Sequence, residues 1–176
     1  MAITSQQARA ARAIKARCPN FTPEIGIILG SGLGTLADHI KNPVKIPYDE
    51  LPGFGESTVE GHDGFLVLGE LQGVPVACLK GRRHFYEGIS NPIVQILVRT
   101  LKLLGCKTLL ATNAAGSLDE AAPPGSLMLI TDHINFSFRN PLVGSNDDEF
   151  GEPRSFATKV AVRKIAEDIL NDIMTT

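Results

Sequence analysis

Cysteine is scarce and unorganised. The 176 residues hold three, Cys18, Cys78 and Cys106. They are odd in number and far apart, without CxxC spacing or a companion histidine cluster, so a disulfide framework and a zinc site both fail. A reducing cytoplasm suits such usage. Charge of one sign is missing too: 17 Lys+Arg against 19 Asp+Glu leave a formal charge of -2, which excludes a broad basic surface for nucleic acid. A small basic pocket stays open. No apolar stretch approaches the ~18 residues of a spanning helix, and no apolar h-region marks a secretory leader. The expectation is one soluble domain with no membrane partner and no metal. Arg9, Arg12, Lys15 and Arg17 precede the first acidic residue, Glu24, a bias shared with mitochondrial presequences. The alanine-rich spacing from Gln6 to Ala16 instead predicts a solvent-facing helix stopped near Pro19.

What is present is alternation. Beyond Thr22, short apolar runs alternate with glycine-rich loops and helical stretches, the pattern of an α/β layer fold with a central sheet flanked by helices. Ile25 to Leu29 reads as a strand buried on both faces, ending in Gly30-Ser31-Gly32-Leu33-Gly34, with a helical stretch from Thr35 to Ile40. Phe65–Leu71 and Val74–Lys80, separated by Gln72-Gly73, predict a tight hairpin, so the sheet is mixed. Pro47 to Gly53 reads as a loop. Pro92 to Leu104 predicts a helix whose apolar residues leave only a narrow polar strip, hence one buried between layers or subunits. Lys107 to Thr112 reads as a strand, Pro123-Pro124-Gly125 as a turn, and Leu127 to Thr131 as a further apolar run. Asp132 to Pro153 is a long polar loop, and Ala157 to Met174 carries Val162, Ile165, Ile169 and Ile173 on one face of an amphipathic helix.

Three loops follow apolar strands and carry the chemistry. In 30–34, glycines let backbone N–H groups approach an anion, and Ser31 adds a hydroxyl. A tight strand-to-helix turn without ligand has the same signature. The dinucleotide fingerprint is not met, because the third glycine comes at 34 and Thr35 stands where the pattern requires it. Glu50, at the distance of a ribose-binding acid, belongs to a loop. In 81–88, Arg82, Arg83, His84 and Tyr86 gather between glycines, and arginine offers a planar fork for phosphate. Neighbouring side chains point opposite ways at a strand end, so Arg82 and His84 form the favoured inward pair and Arg83 a solvated charge. His62, in Gly61-His62-Asp63-Gly64, is either a further donor or an exposed turn residue. In 113–117, small residues let a ligand meet the main chain, and the Asn113 amide both donates and accepts. Ligands of open α/β sheets bind beyond strand ends.

Five ordered motifs together resemble one family. They are Ile28 to Gly34, Ser57-Thr58-Val59-Glu60-Gly61-His62, Gly81-Arg82 through Gly88, Thr112-Asn113-Ala114-Ala115-Gly116 and Asp132-His133-Ile134-Asn135. The family is the trimeric purine nucleoside phosphorylases, of the inosine, guanosine and xanthosine type, and the resemblance runs from about Phe21 to Gly151. It implies a nucleoside phosphorylase fold, a cytoplasmic homotrimer and phosphate-dependent cleavage of purine nucleosides in salvage. Inorganic phosphate would be the co-substrate, with no cofactor and no metal. By the same resemblance Ser31, His62, Arg82, His84 and the Ala114 backbone hold phosphate. Tyr86, Ala115 and Gly116 meet the nucleoside, and His84 and Asn113 are the catalytic candidates.

The family's chain is longer, and its later portion supplies the base-recognising groups: a Glu, an Asn, a Met-containing strand and a His. None is found here. Residues 1–176 therefore read as a single incomplete domain, truncated at its C-terminus, with a divergent helix over 154–176. Phe156 stands in a displaced register and inherits no role. Little or no inosine or xanthosine phosphorolysis is expected of these 176 residues alone. Two rival readings remain: an inactive fragment that keeps the phosphate site, and methylthioadenosine phosphorylase, which shares the fold.

Overall fold

The computed structural model describes residues 5–55, 64–81, 91–132 and 134. Five strands form one mixed sheet in the order β2-β3-β4-β1-β5. They are β1 (Ile25–Ile28), β2 (Lys41–Pro47), β3 (Phe65–Leu71), β4 (Val74–Lys80) and β5 (Thr108–Ala111). β1 runs parallel to both β4 and β5, while β3 is antiparallel to β2 and to β4. The expected mixed sheet is present.

The hairpin shows why its turn was legible. Gln72 and Gly73 both adopt positive φ, 50° and 77°, as a two-residue turn of the primed kind requires to match strand twist. Along β3 and β4 the side chains then alternate between two cores. Leu66, Leu68, Ala77 and Leu79 join one cluster with Ala10, Ile14, Leu101 and Leu104. Val67, Val76 and Cys78 join Ile27, Leu29, Ala37 and Ile40 on the opposite face. The first face is covered by α1 (Gln6–Arg17) and α2 (Asn91–Leu104), which pack on each other. The second is partly covered by a 3₁₀ segment, Gly34–His39, which is the helical stretch expected after the first glycine loop.

Two expectations need correction, and one strand was not anticipated. The helix α1 does not simply face solvent: Gln7, Ala10, Ala11 and Ile14 are buried. Its alanines are small enough to bring the helix close to α2, so they serve packing as well as propensity. Within this chain the helix α2 has Ile96, Thr100, Leu101 and Leu104 buried and Val94, Leu97, Val98 and Leu103 half-buried. Strand β2 was not anticipated, because Pro43, a positive φ at Asn42, a register shift and a single buried residue, Ile46, all disguise it. An edge strand tolerates each of these. Pro47 is consequently a strand end, and Glu50 sits in the 3₁₀ turn Tyr48–Glu50 that follows, ion-paired with Arg17.

Gly105, with φ of 116°, closes α2 as expected. The turn at 123–126 is made by the Ser126 N–H donating to Pro123 O at 3.0 Å, with Gly125 at φ 89°, which fits a type II turn with proline in its second position. The apolar run after it has no regular secondary structure. Leu127, Met128, Leu129 and Ile130 are all exposed, as is Ile134. The expected segments 135–153 and 157–174 lie outside the described residues, as do 56–63, 82–90 and 133. No described helix is long and apolar enough to cross a membrane.

Candidate functional site

Parallel strands place their C-terminal ends on one edge of a sheet, and here three do so side by side. Ile28, the last residue of β1, pairs with Leu79 of β4 on one side and with Ala111 of β5 on the other. The loops starting at Gly30, Gly81 and Thr112 therefore leave the same edge. Because β3 is antiparallel, with Phe65 opposite Lys80, its entry at Gly64 also falls there. Ser31, Arg82 and Asn113 each follow one of these starts directly, and His62 precedes Gly64 by two positions.

Two of the loops are joined backbone to backbone. A Cβ at Gly30 would lie 2.6 Å from both Asn113 Cα and Thr112 O, so only glycine fits. The Gly30 N–H donates to Thr112 Oγ1 at 2.9 Å, and that hydroxyl donates to Ile28 O at 3.1 Å. This corrects one expectation, since the Gly30 amide is spent on Thr112 and is not offered to an anion. Ser31, Asn113, Ala114, Ala115 and Gly116 are exposed around the joint. The Asn113 side-chain amide donates to Ala114 O at 3.3 Å, which tightens this loop on itself.

Tyr48 closes the other half of the edge. Its N–H donates to Gly64 O at 2.9 Å, and its hydroxyl donates to Gly81 O, also at 2.9 Å. A Cβ at Gly64 would fall 2.2 Å from the tyrosine ring, and Phe54 packs against that ring with centroids 5.4 Å apart. Burial raises the phenol well above its ordinary value, so it stays a donor at physiological pH. Residues that organise this edge, Tyr48 and Thr112, were given no role from the sequence, although Thr112 opens one of the five motifs. Their partners lie 33 and 82 or more positions away, and no local pattern reports such bonds.

The charges at the edge are few among the described residues. Lys80 pairs with Asp38 at 2.9 Å, and the hydrogen bond from Lys80 holds the Asp38 carboxyl below its usual value. Burial pushes the thiols of Cys78 and Cys106 up to about 12, which leaves them neutral and unreactive in the core. His62, Arg82, His84 and Tyr86 lie outside the described residues.

Comparison with known proteins agrees with this layout. Residues 24–174 match the sequence profile of the Phosphorylase superfamily. The chain is 48% identical over 168 residues to purine nucleoside phosphorylase 1 of Geobacillus stearothermophilus, covering 94% of this chain and 61% of that protein. It is 51% identical over 168 residues to purine nucleoside phosphorylase 1 of Bacillus subtilis, covering 94% and 62%. A crystal structure of isoform 2 of purine nucleoside phosphorylase from Schistosoma mansoni, in complex with cytosine and ribose-1-phosphate, superposes with a TM-score of 0.80 at 42% identity. The match covers 95% of this chain and 60% of that one. The chain thus spans about three-fifths of the length of the relatives it matches. With its profile match over most of the sequence and its sheet in common with these enzymes, the chain belongs to the phosphorylase superfamily.

Proposed function

We propose that this chain carries the phosphate-holding part of a purine nucleoside phosphorylase, which cleaves the N-glycosidic bond to give free base and (deoxy)ribose 1-phosphate. The observation that carries the reading is the convergence of four chain segments on one sheet edge. Two of them are locked together at Gly30 and Thr112. Ser31, His62, Arg82, His84 and the Ala114 N–H are the phosphate ligands in this reading, Tyr86, Ala115 and Gly116 face the nucleoside, and His84 and Asn113 act at the reacting centre. Inorganic phosphate is the co-substrate, no cofactor takes part, and the enzyme works as a cytoplasmic homotrimer.

The chemistry suits such an edge. Departure of the purine leaves an oxocarbenium-like sugar, and a phosphate dianion held beneath the ring stabilises that charge before forming the new bond to the anomeric carbon. Fixed donors hold the dianion in line, so positioning supplies much of the rate. Titration calorimetry with inorganic phosphate tests the site. Arg82→Ala is expected to lose about 1.5–3 kcal/mol of binding, the range of charge-assisted hydrogen bonds, while Arg83→Ala loses little. Equal losses at both positions would refute the assignment. Comparing inosine, xanthosine, adenosine and methylthioadenosine as substrates separates this reading from methylthioadenosine phosphorylase.

A second reading, a phosphate-binding chain without turnover, is favoured by the exposed apolar residues Leu127 to Ile130, which follow the 113–117 loop in sequence. Phosphate binding without release of base from any of the four nucleosides would select it.

A further inference from the structure

Beyond the last ladder pair of β1 and β5, Ile28 with Ala111, one more backbone bond, from Thr112 N–H to Ile28 O, ends the ladder. Here one side chain extends that tie to Gly30. Thr112 donates its backbone N–H to Ile28 O at 3.0 Å, donates its hydroxyl to the same carbonyl at 3.1 Å, and accepts the Gly30 N–H at 2.9 Å. The far side of β1 is tied at the same level, by the Leu29 N–H donating to Leu79 O at 3.1 Å. Gly30 is thereby clamped from both sides while its Cα faces the Asn113 backbone without room for a Cβ. Ser31 is the next residue on one loop, and Ala114 is two positions past Thr112 on the other.

We propose that Thr112 is a positioning residue whose hydroxyl fixes the separation of Ser31 and the Ala114 N–H, and so sets the affinity of the site for phosphate. The proposal rests on the phosphate reading above. A threonine suits the task because its Oγ1 both donates and accepts, which joins a carbonyl of β1 to an amide two residues further along the same chain. Its β-branch restricts χ1, so the oxygen is held ready. Valine keeps the shape and removes both bonds, leaving the buried Gly30 N–H without its acceptor.

Titration calorimetry with inorganic phosphate on the wild type, Thr112→Val and Thr112→Ser, together with thermal melting of each, decides the matter. The expected result is that Thr112→Val binds phosphate about tenfold more weakly, the scale of one well-placed hydrogen bond. Thr112→Ser should stay within about twofold of the wild type although it melts lower for want of the methyl group. That separation of affinity from melting distinguishes positioning from support of the fold. Wild-type affinity in a folded Thr112→Val overturns the proposal and leaves the phosphate site standing. So does a tenfold loss in Thr112→Ser, a result available even if the valine variant does not fold. A wild type that takes up no phosphate overturns the site reading and this role with it.

Discussion

Two apolar tetrads in this chain have opposite fates. Ile25–Ile28 lies inside the sheet with a hydrogen-bonded strand on each side, and Gly26 and Ile27 are buried. Leu127, Met128, Leu129 and Ile130 are as apolar, yet 54–73% exposed and without a strand partner among the described residues. Composition is therefore not what buries a segment. A strand is enclosed only when two neighbours and two covering layers are supplied, and β1 draws its cover from α1, α2 and the 3₁₀ segment. Four adjacent exposed apolar residues form a patch that invites association.

The sharpest way to break this comparison is to shorten a leucine in each region. Leu66 is fully buried in the helix-covered cluster, so Leu66→Ala is expected to cost about 2–5 kcal/mol through lost transfer energy and a residual cavity. Leu129→Ala should change stability by less than about 0.5 kcal/mol, as surface substitutions do. Urea unfolding followed by circular dichroism reads both. Sedimentation velocity adds the converse, since Leu129→Ala should lower self-association while Leu66→Ala should not. A large stability loss at Leu129 would mean that the tetrad is already packed in the isolated chain.

Glycines sharpen the contrast at smaller scale. At Gly30 an added methyl meets backbone at 2.6 Å, and main chain cannot swing away as a side chain can. Gly30→Ala is accordingly expected to cost about 3 kcal/mol, at the upper end of overpacking. Gly116, three residues beyond the joint, has open space around it, so Gly116→Ala should be neutral within about 0.5 kcal/mol. Equal urea midpoints for the two variants would contradict the backbone joint.

How much of this could be read beforehand depended on the range of each interaction. The hairpin was legible because Gln72-Gly73 is a local device, and β1 because a short continuous apolar run closed by a glycine loop fits a buried strand better than a helix. The common sheet edge was legible too, since three strand-to-loop transitions of one type imply parallel neighbours. Strand β2 was not, because only Ile46 is buried and Pro43 and Asn42 argue against a strand. The buried face of α1 was hidden in alanines, whose small size carries no strong apolar signature. The rung from Thr112 to Gly30 joins positions 82 apart, and nothing at either position announces the other. Local chemistry was visible in the sequence; the bonds that hold one loop against another were not.

The smallest expected effect concerns Asp38 and Lys80, which bind the 3₁₀ segment after the first glycine loop to the end of β4. Their 2.9 Å contact suggests strength, but Asp38 is 55% and Lys80 35% exposed, and water and salt screen such pairs. The hydrogen bond from Lys80 lowers the Asp38 carboxyl from its usual value. A depressed folded value means that any stability it contributes is present above the unfolded carboxylate value and disappears as pH falls through the folded one. Asp38→Asn should therefore cost no more than about 0.5 kcal/mol at neutral pH in 0.15 M salt. That difference should vanish at the acid end of the range and shrink in 1 M salt. Urea midpoints at neutral and acid pH test both the sign and the size. A cost above about 1.5 kcal/mol would show that this pair fastens the glycine loop to β4 as firmly as Thr112 fastens it to β5.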